Sequence, residues 1–302
     1  MRIGIFGGAV AGEGGIDEVV ASARQSADDG FASYWMPQVF GLDALTTLAV
    51  IGREVPDIEL GTAVVPTYPR HPMMLAGQAL TTQAASGGRL TLGIGLSHQL
   101  VIEGMYGLSF EKPVRHMREY LAILMPLIHD GAVSFTGETL TANGGLDIPG
   151  ATPFPVLIAA LGPKMLELAG TVADGTITWM TGPATVGDHI APSIRAAADA
   201  ADRPAPRVVS ALPVLVTDDA DAARERAARL FSLYGQLPSY RAMLDREGAA
   251  GPADVALVGD EATVRDGISG MFEAGATDFL AVEFGTTETE RTRTRDLLRS
   301  LL

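Results

Sequence analysis

Eight short apolar runs alternate with amphipathic segments from one end of this chain to the other, and that alternation leaves few folds open. The runs cover residues 2–6, 33–36, 59–65, 90–94, 156–160, 176–179, 208–216 and 279–284. Most are continuously apolar, as parallel strands buried on both faces are. Helical patterns lie between them at 16–29, 43–54, 72–85, 113–129, 163–172, 184–201 and 261–274. Eight strands with intervening helices predict a closed (β/α)8 barrel, with a doubly wound open sheet as the alternative.

Two connections are longer than a barrel turn needs. Residues 96–155 contain a helix and then a stretch, 133–141, that alternates like a small hairpin. Residues 218–278 carry extra helices, one of them near 231–246. Insertions are therefore expected after strands 4 and 7, where long loops roof barrel active sites. No repeat or Pro/Gly-rich linker interrupts the chain, so its 302 residues read as a single domain, 1–302.

The chain has no cysteine, which excludes disulfides, zinc–thiolate sites, iron–sulfur clusters and thiol nucleophiles, and fits a reducing cytoplasm. A net charge of −14 argues against nucleic acid and against an anionic membrane surface as partners. The apolar run 3–10 is followed by Glu13 and is too short to span a bilayer. It reads as a first strand.

The segment 155–175 carries the clearest chemistry. An apolar strand runs into Gly162, Pro163 and an amphipathic helix. Pro163 suits the first helical position, Gly162 lets a ligand approach the backbone, and the amides of Met165 and Leu166 are expected to be free at the positive end of the helix, with Lys164 adding a full charge. That arrangement suits a phosphate; an ordinary strand-to-helix turn is the plainer alternative. Gly93-Ile-Gly95-Leu-Ser-His98 has two glycines, not the three of a dinucleotide fingerprint, and a long irregular stretch is expected to follow it instead of an immediate helix. It reads either as a strand end against which a flat ligand lies or as packing glycines.

Tyr68, Arg70 and His71 fall in the proline-stiffened loop 66–72, where Arg70 and His71 could meet an anion. His71, His98, His116, His129 and His189 show no metal-ligand spacing, so no metal site is expected. His98 follows a strand end and is the best general acid/base candidate; His116 and His129 read as structural. A serine-hydrolase elbow and a P-loop are absent. Most acidic residues look like solvated helix faces, and Glu103 in the first insertion is the exception.

Several of these stretches together resemble luciferase-like monooxygenases, and more closely their coenzyme F420-dependent oxidoreductase branch. The carriers are 30–37 (Gly-Phe-Ala-Ser-Tyr-Trp-Met-Pro), 60–66 (Leu-Gly-Thr-Ala-Val-Val-Pro), Arg70-His-Pro72, 88–95 (Gly-Arg-Leu-Thr-Leu-Gly-Ile-Gly), 115–120 (Arg-His-Met-Arg-Glu-Tyr), Leu161-Gly-Pro-Lys164 and Ala173-Asp-Gly175. The resemblance covers nearly the whole chain. It implies a TIM barrel of the bacterial luciferase type, with the deazaflavin at the C-terminal face and hydride transfer to or from a small organic substrate. FMN is the alternative cofactor.

The resemblance also implies roles for particular residues. The cofactor phosphate would lie on the turn of Leu161, Gly162, Pro163, Lys164 and Met165, and Ala160 before it would also bind the cofactor. A non-prolyl cis peptide is implied at Ala63-Val64, beneath the ring. Gly95, Leu96 and Ser97 would line the ring or ribityl chain, and Arg70, Lys164 and backbone amides would meet the charged tail. Many F420 enzymes carry Asp-His after the second strand, whereas this chain has Gln38-Val39. Gln38 donates hydrogen bonds but exchanges no proton near neutral pH, which leaves His98 as the proton-handling candidate, or a reaction that needs no proton, or a protein that only binds the cofactor. Met105, Tyr106, Phe231 and Tyr234 are candidates for an apolar pocket roof, and a homodimer is common in the family.

Overall fold

The computed structural model describes residues 1–8 and 14–302; the end of the first apolar run and Glu13 lie outside the described residues. Eight parallel strands form the frame: β1 (Ile3–Phe6), β2 (Ser33–Met36), β3 (Glu59–Thr62), β4 (Leu90–Gly95), β5 (Val156–Ile158), β6 (Gly175–Trp179), β7 (Arg207–Val216) and β8 (Asp278–Glu283). Each pairs with the next in chain order, and Ile3 of β1 lies opposite Phe279 of β8, which closes the ring. The open-sheet alternative is therefore excluded.

The continuous apolar character of the strands follows from having two cores. On β8, Leu280 and Val282 point into the barrel with Phe6, Trp35, Leu157, Val209 and Ala211. Phe279 and Ala281 point outward into the layer between strands and helices. Neither face meets water, so neither can be polar. β3 stops at Thr62, resumes as Val65–Pro66 beside β4, and the Ala63–Val64 peptide between is cis, where the resemblance placed one.

The strand starts carry an ion network. Arg207 donates to Asp278 at 2.7 Å and to Glu59 at 2.9 Å, and Arg2 bonds the same two carboxylates. These groups close the N-terminal end of the barrel. In barrel proteins that end supports stability rather than chemistry.

The helices are α1 (Ile16–Asp28), α2 (Ala44–Glu54), α3 (Pro72–Ala85), α4 (Gln99–Gly104), α5 (Pro113–His129), α6 (Pro163–Thr171), α7 (Ala191–Ala200), α8 (Ala220–Leu230), α9 (Pro238–Glu247), α10 (Glu261–Glu273) and α11 (Glu288–Arg299). Proline opens α3, α5, α6 and α9, where no intrahelical N–H is needed.

Both long insertions fall where expected. After β4 come α4, α5 and a hairpin, Ala132–Thr136 paired with Thr141–Gly145. Buried Glu119 of α5 accepts hydrogen bonds from the amides of Glu138, Thr139 and Leu140 and so pins the hairpin turn. After β7 come α8, α9 and α10, with a short strand, Leu257–Gly259, that pairs parallel to the end of β7. The segment 184–201 is not one helix: a π-helical turn, Val186–Ile190, precedes α7.

Candidate active site

A cavity of about 970 Å³ opens at the C-terminal ends of the strands. That volume lies at the upper end of the range for small-molecule and cofactor sites. Each wall comes from a strand end. Gln38 follows β2, Ala63 and Val64 form the break in β3, and Gly95, Leu96, Ser97 and His98 follow β4. Leu161, Gly162 and Met165 follow β5, and Trp179 ends β6. The roof combines Leu100, Glu103 and Phe110 of the first insertion with Leu233, Tyr234, Leu237 and Tyr240 of the second. Glu103 is the one charged side chain on this lining, and most of the rest is apolar.

Three glycines, one after β5 and two in β4, play different parts. A Cβ on Gly162 would meet nothing within 4 Å, so the backbone there is open to a ligand. A Cβ on Gly95 would lie 2.7 Å from Val64 Cγ2, and one on Gly93 would lie 2.0 Å from the Thr62 carbonyl oxygen. Packing therefore requires Gly93, while Gly95 both packs on Val64 and borders the cavity. Ser97 holds φ +58, an uncommon conformation for a residue with a side chain.

The turn after β5 differs from the expectation in one respect. The amides of Met165 and Leu166 are not free: both donate to the Gly162 carbonyl, at 3.0 and 2.9 Å. The helix satisfies them itself from its N-cap residue. The amides of Leu161, Gly162 and Lys164 are the ones without an acceptor among the described residues. Behind the turn, buried His189 donates from Nε2 to the Leu161 carbonyl at 2.8 Å. Sequence reading gave His189 no role, because the π-turn that swings it inward has no local signature.

Other candidates are dispersed. Arg70 pairs with Asp43 at the start of α2 and does not line the cavity; the short proline-bounded loop turns it toward that helix. Ala160 is fully buried, its amide held by Thr176 Oγ1 at 3.3 Å. Pro163 and Lys164 are exposed, and Lys164 faces a neighbouring groove instead of the cavity. His71 caps α3, accepting from the Met73 amide at 3.3 Å. His116 stacks on Tyr68 with ring centres 3.9 Å apart and bonds Thr67, a structural role. Met105 and Tyr106 are exposed and do not line the cavity; Phe231 is buried behind it against Trp179, and Tyr234 does line it.

Five polar groups on the lining have defined states or partners. Burial disfavours the charged imidazolium of His98 and lowers its pKa below the usual histidine value, so the ring is neutral at pH 7. It faces Tyr240 across 5.7 Å. Burial raises the phenols of Tyr240 and Tyr234 above their ordinary value, so both stay protonated. Gln38 Oε1 accepts from the Ala44 amide at 2.7 Å, which fixes the side chain and leaves its NH2 for a ligand. Glu103 accepts from Gln99 at 2.9 Å and from the Phe110 amide at 3.3 Å, so it fastens the first insertion.

These residues fit a flat, phosphate-bearing cofactor: apolar walls, a backbone edge open at Gly162 and unpaired amides beside it. No group of histidine and carboxylate side chains among the described residues could hold a metal ion, and no helix among them is long and apolar enough to cross a membrane.

A closed parallel barrel with a roofed, largely apolar cavity at its C-terminal strand ends defines a barrel of the ligand-binding, enzymatic class. The chain belongs to the luciferase-like monooxygenase family, whose model matches residues 1–278. It is 35% identical over 184 residues to a putative coenzyme F420-dependent oxidoreductase of Mycobacterium tuberculosis, covering 56% of this chain and about half, 52%, of that relative's length. It is 28% identical over 281 residues to the 5,10-methylenetetrahydromethanopterin reductase of Methanolobus tindarius, covering 91% of this chain and 85% of the relative. The fold also matches the FMN-bound oxygenating constituent of 3,6-diketocamphane monooxygenase from Pseudomonas putida, with TM-score 0.78 and 18% identity over 99% of this chain and 96% of the other.

Proposed function

We propose that this protein is an oxidoreductase that binds coenzyme F420 and transfers hydride between its deazaflavin and a small organic substrate. The observation that carries the reading is the turn at Leu161–Lys164. It carries three unpaired amides, and two of their residues, Leu161 and Gly162, line an apolar cavity bounded by Ala63, Val64 and Gly95. The likeness to a putative coenzyme F420-dependent oxidoreductase favours a deazaflavin over other phosphate-bearing rings.

When bound, F420 supplies the redox chemistry at ring carbon C5. The protein's own part is to hold, orient and shield. The amides of Leu161, Gly162 and Lys164 would hold the phosphate. Ala63, Val64 and Gly95 would bracket the ring, and the Gln38 NH2 would donate to a ring or substrate oxygen. The roof of Leu100, Leu237 and Tyr240 would exclude water. His98 is neutral and so ready to accept a proton at its ring nitrogen. That state suits removal of a proton from a substrate O–H or N–H as hydride leaves the adjoining carbon; in the reverse direction the same nitrogen returns it.

An FMN-dependent monooxygenase is the second reading, favoured by the FMN-bound neighbour and by a phosphate turn that would serve either cofactor. Separate titrations of the purified protein with F420 and FMN decide between them. Tight FMN binding without F420 binding would sink the first reading. If F420 binds, turnover against alcohols, enones and imines separates an enzyme from a cofactor carrier.

A further inference from the structure

The chain contains only two lysines, Lys112 and Lys164, against 36 acidic residues. Both lie in one groove between α5 and α6, with Arg115 and Arg118. Arg115 pairs with Glu138; no carboxylate lies within ion-pair distance of Lys112, Arg118 or Lys164 among the described residues. Glu167 is the one acidic residue on the groove's lining.

The placement is electrostatically unfavourable for an empty surface. Lys112 is the N-cap of α5, and Lys164 is the second residue of α6. Helix N-termini carry the positive end of the backbone dipole, where cations are disfavoured. Lys112 also holds a left-handed backbone, φ 49, which glycine or asparagine adopts more readily. Four cations and two helix starts thus share one groove on a protein of net charge −14. An anion of several charges would relieve all of these repulsions together.

The groove adjoins the cavity across the first turn of α6. Leu161, Gly162 and Met165 line the cavity, whereas Lys164, Glu167 and Leu168 line the groove. A ligand held by its phosphate at Gly162 reaches the groove by continuing over Pro163. F420 continues beyond its phosphate into a chain of carboxylates, while FMN ends there.

We propose that the α5–α6 groove holds the polycarboxylate tail of the cofactor. This rests on the F420 reading above and goes beyond it, because it makes the tail, and not the ring, the part that these residues distinguish. The test is a fluorescence titration of the native protein and of a Lys112→Asn/Arg118→Gln double variant with two ligands: tailed F420, and the same deazaflavin truncated after its phosphate. The native protein is expected to bind the tailed form about tenfold more tightly, from several weak exposed contacts. The preference should vanish near 1 M salt, where the Debye length is about 3 Å. In the double variant the two ligands should bind alike, with the truncated form held as in the native protein. Equal binding of the two ligands by the native protein, or a preference that survives in the variant, overturns the groove assignment and leaves the F420 reading standing. Binding of FMN but of neither deazaflavin overturns both.

Discussion

His189 and Leu161 are joined by a single hydrogen bond, 2.8 Å from the imidazole Nε2–H to the carbonyl oxygen, which ties the π-turn after β6 to the turn that ends β5. The acceptor is a carbonyl, so Nε2 carries the proton. This bond holds the turn whose residues Leu161 and Gly162 line the cavity.

Replacing His189 with alanine should therefore loosen the phosphate turn without touching the ring site. One net hydrogen bond of about 1 kcal/mol corresponds to roughly fivefold in affinity. Titration with the phosphate-bearing cofactor should show a loss of about that size, whereas a deazaflavin lacking the phosphate should bind as before. Equal losses for the two ligands would assign His189 to general packing.

Gly162 and Gly95 should respond oppositely to added bulk. Gly162 has φ −84 and ψ 154, which any residue adopts, and open space beside it. Gly162→Val should leave thermal stability within about 0.5 kcal/mol, as surface changes do, and abolish cofactor binding. Gly95→Ala places a Cβ 2.7 Å from Val64 Cγ2 and should cost about 1–3 kcal/mol through overpacking. Melting curves beside titrations read both, and a folded Gly162→Val that still binds cofactor would move the phosphate elsewhere.

The pH dependence of turnover should follow His98. Burial holds its pKa below the ordinary histidine value, so the neutral, proton-accepting form persists into mild acid. The rate of substrate oxidation should stay level near pH 7 and fall only below that ordinary value. His98→Ala should lower kcat far more than it weakens cofactor binding, general base catalysis being worth about 10²–10⁴-fold. A variant that loses binding and turnover in equal measure would make His98 a wall and not a base.

Asp278 should govern stability and not chemistry. Burial alone would raise its pKa, but hydrogen bonds and charge from Arg207, with help from Thr277 and Arg2, hold it below the usual aspartate value. The folded pKa is thus depressed, so the stabilisation is present above the unfolded value of about 3.9 and is lost as pH falls through the folded one. Asp278→Asn should lower stability by about 3 kcal/mol by leaving Arg207 partly uncompensated, with cofactor affinity unchanged. Urea unfolding at neutral and acid pH measures both.

Much of this arrangement was legible because strand burial is written in runs of consecutive apolar residues. Residues such as Phe279 and Leu280 point to opposite sides of the sheet yet are both buried, so the eight runs stood out. Several elements escaped. The helix α4 begins at Gln99 directly behind its N-cap His98, where an irregular stretch was expected. Leu257–Gly259 is only three residues long, too short to show a period. The last helix, α11, is so rich in arginine and glutamate that no apolar stripe announces it, although Thr287 and Glu290 form a capping box that marks its start.

In the site, the turn after β5 and the residues after β4 were readable from glycine and proline placement. Side-chain direction was not. Arg70 turns to Asp43, and Lys164 points over the far side of α6, because single-residue rotations decide which face a long side chain takes. Tyr240 and Leu237 reach the cavity from a distant insertion that no local pattern connects to it.

The second insertion, which reaches over the cavity through Leu233, Tyr234, Leu237 and Tyr240, follows β7 and shares no strand with the turn at Gly162. On the proposed reading, substrate range and cofactor retention would thus be carried by separable stretches of the chain. Exchanging residues 231–246 with those of a relative would redraw what the pocket admits while leaving its redox partner in place.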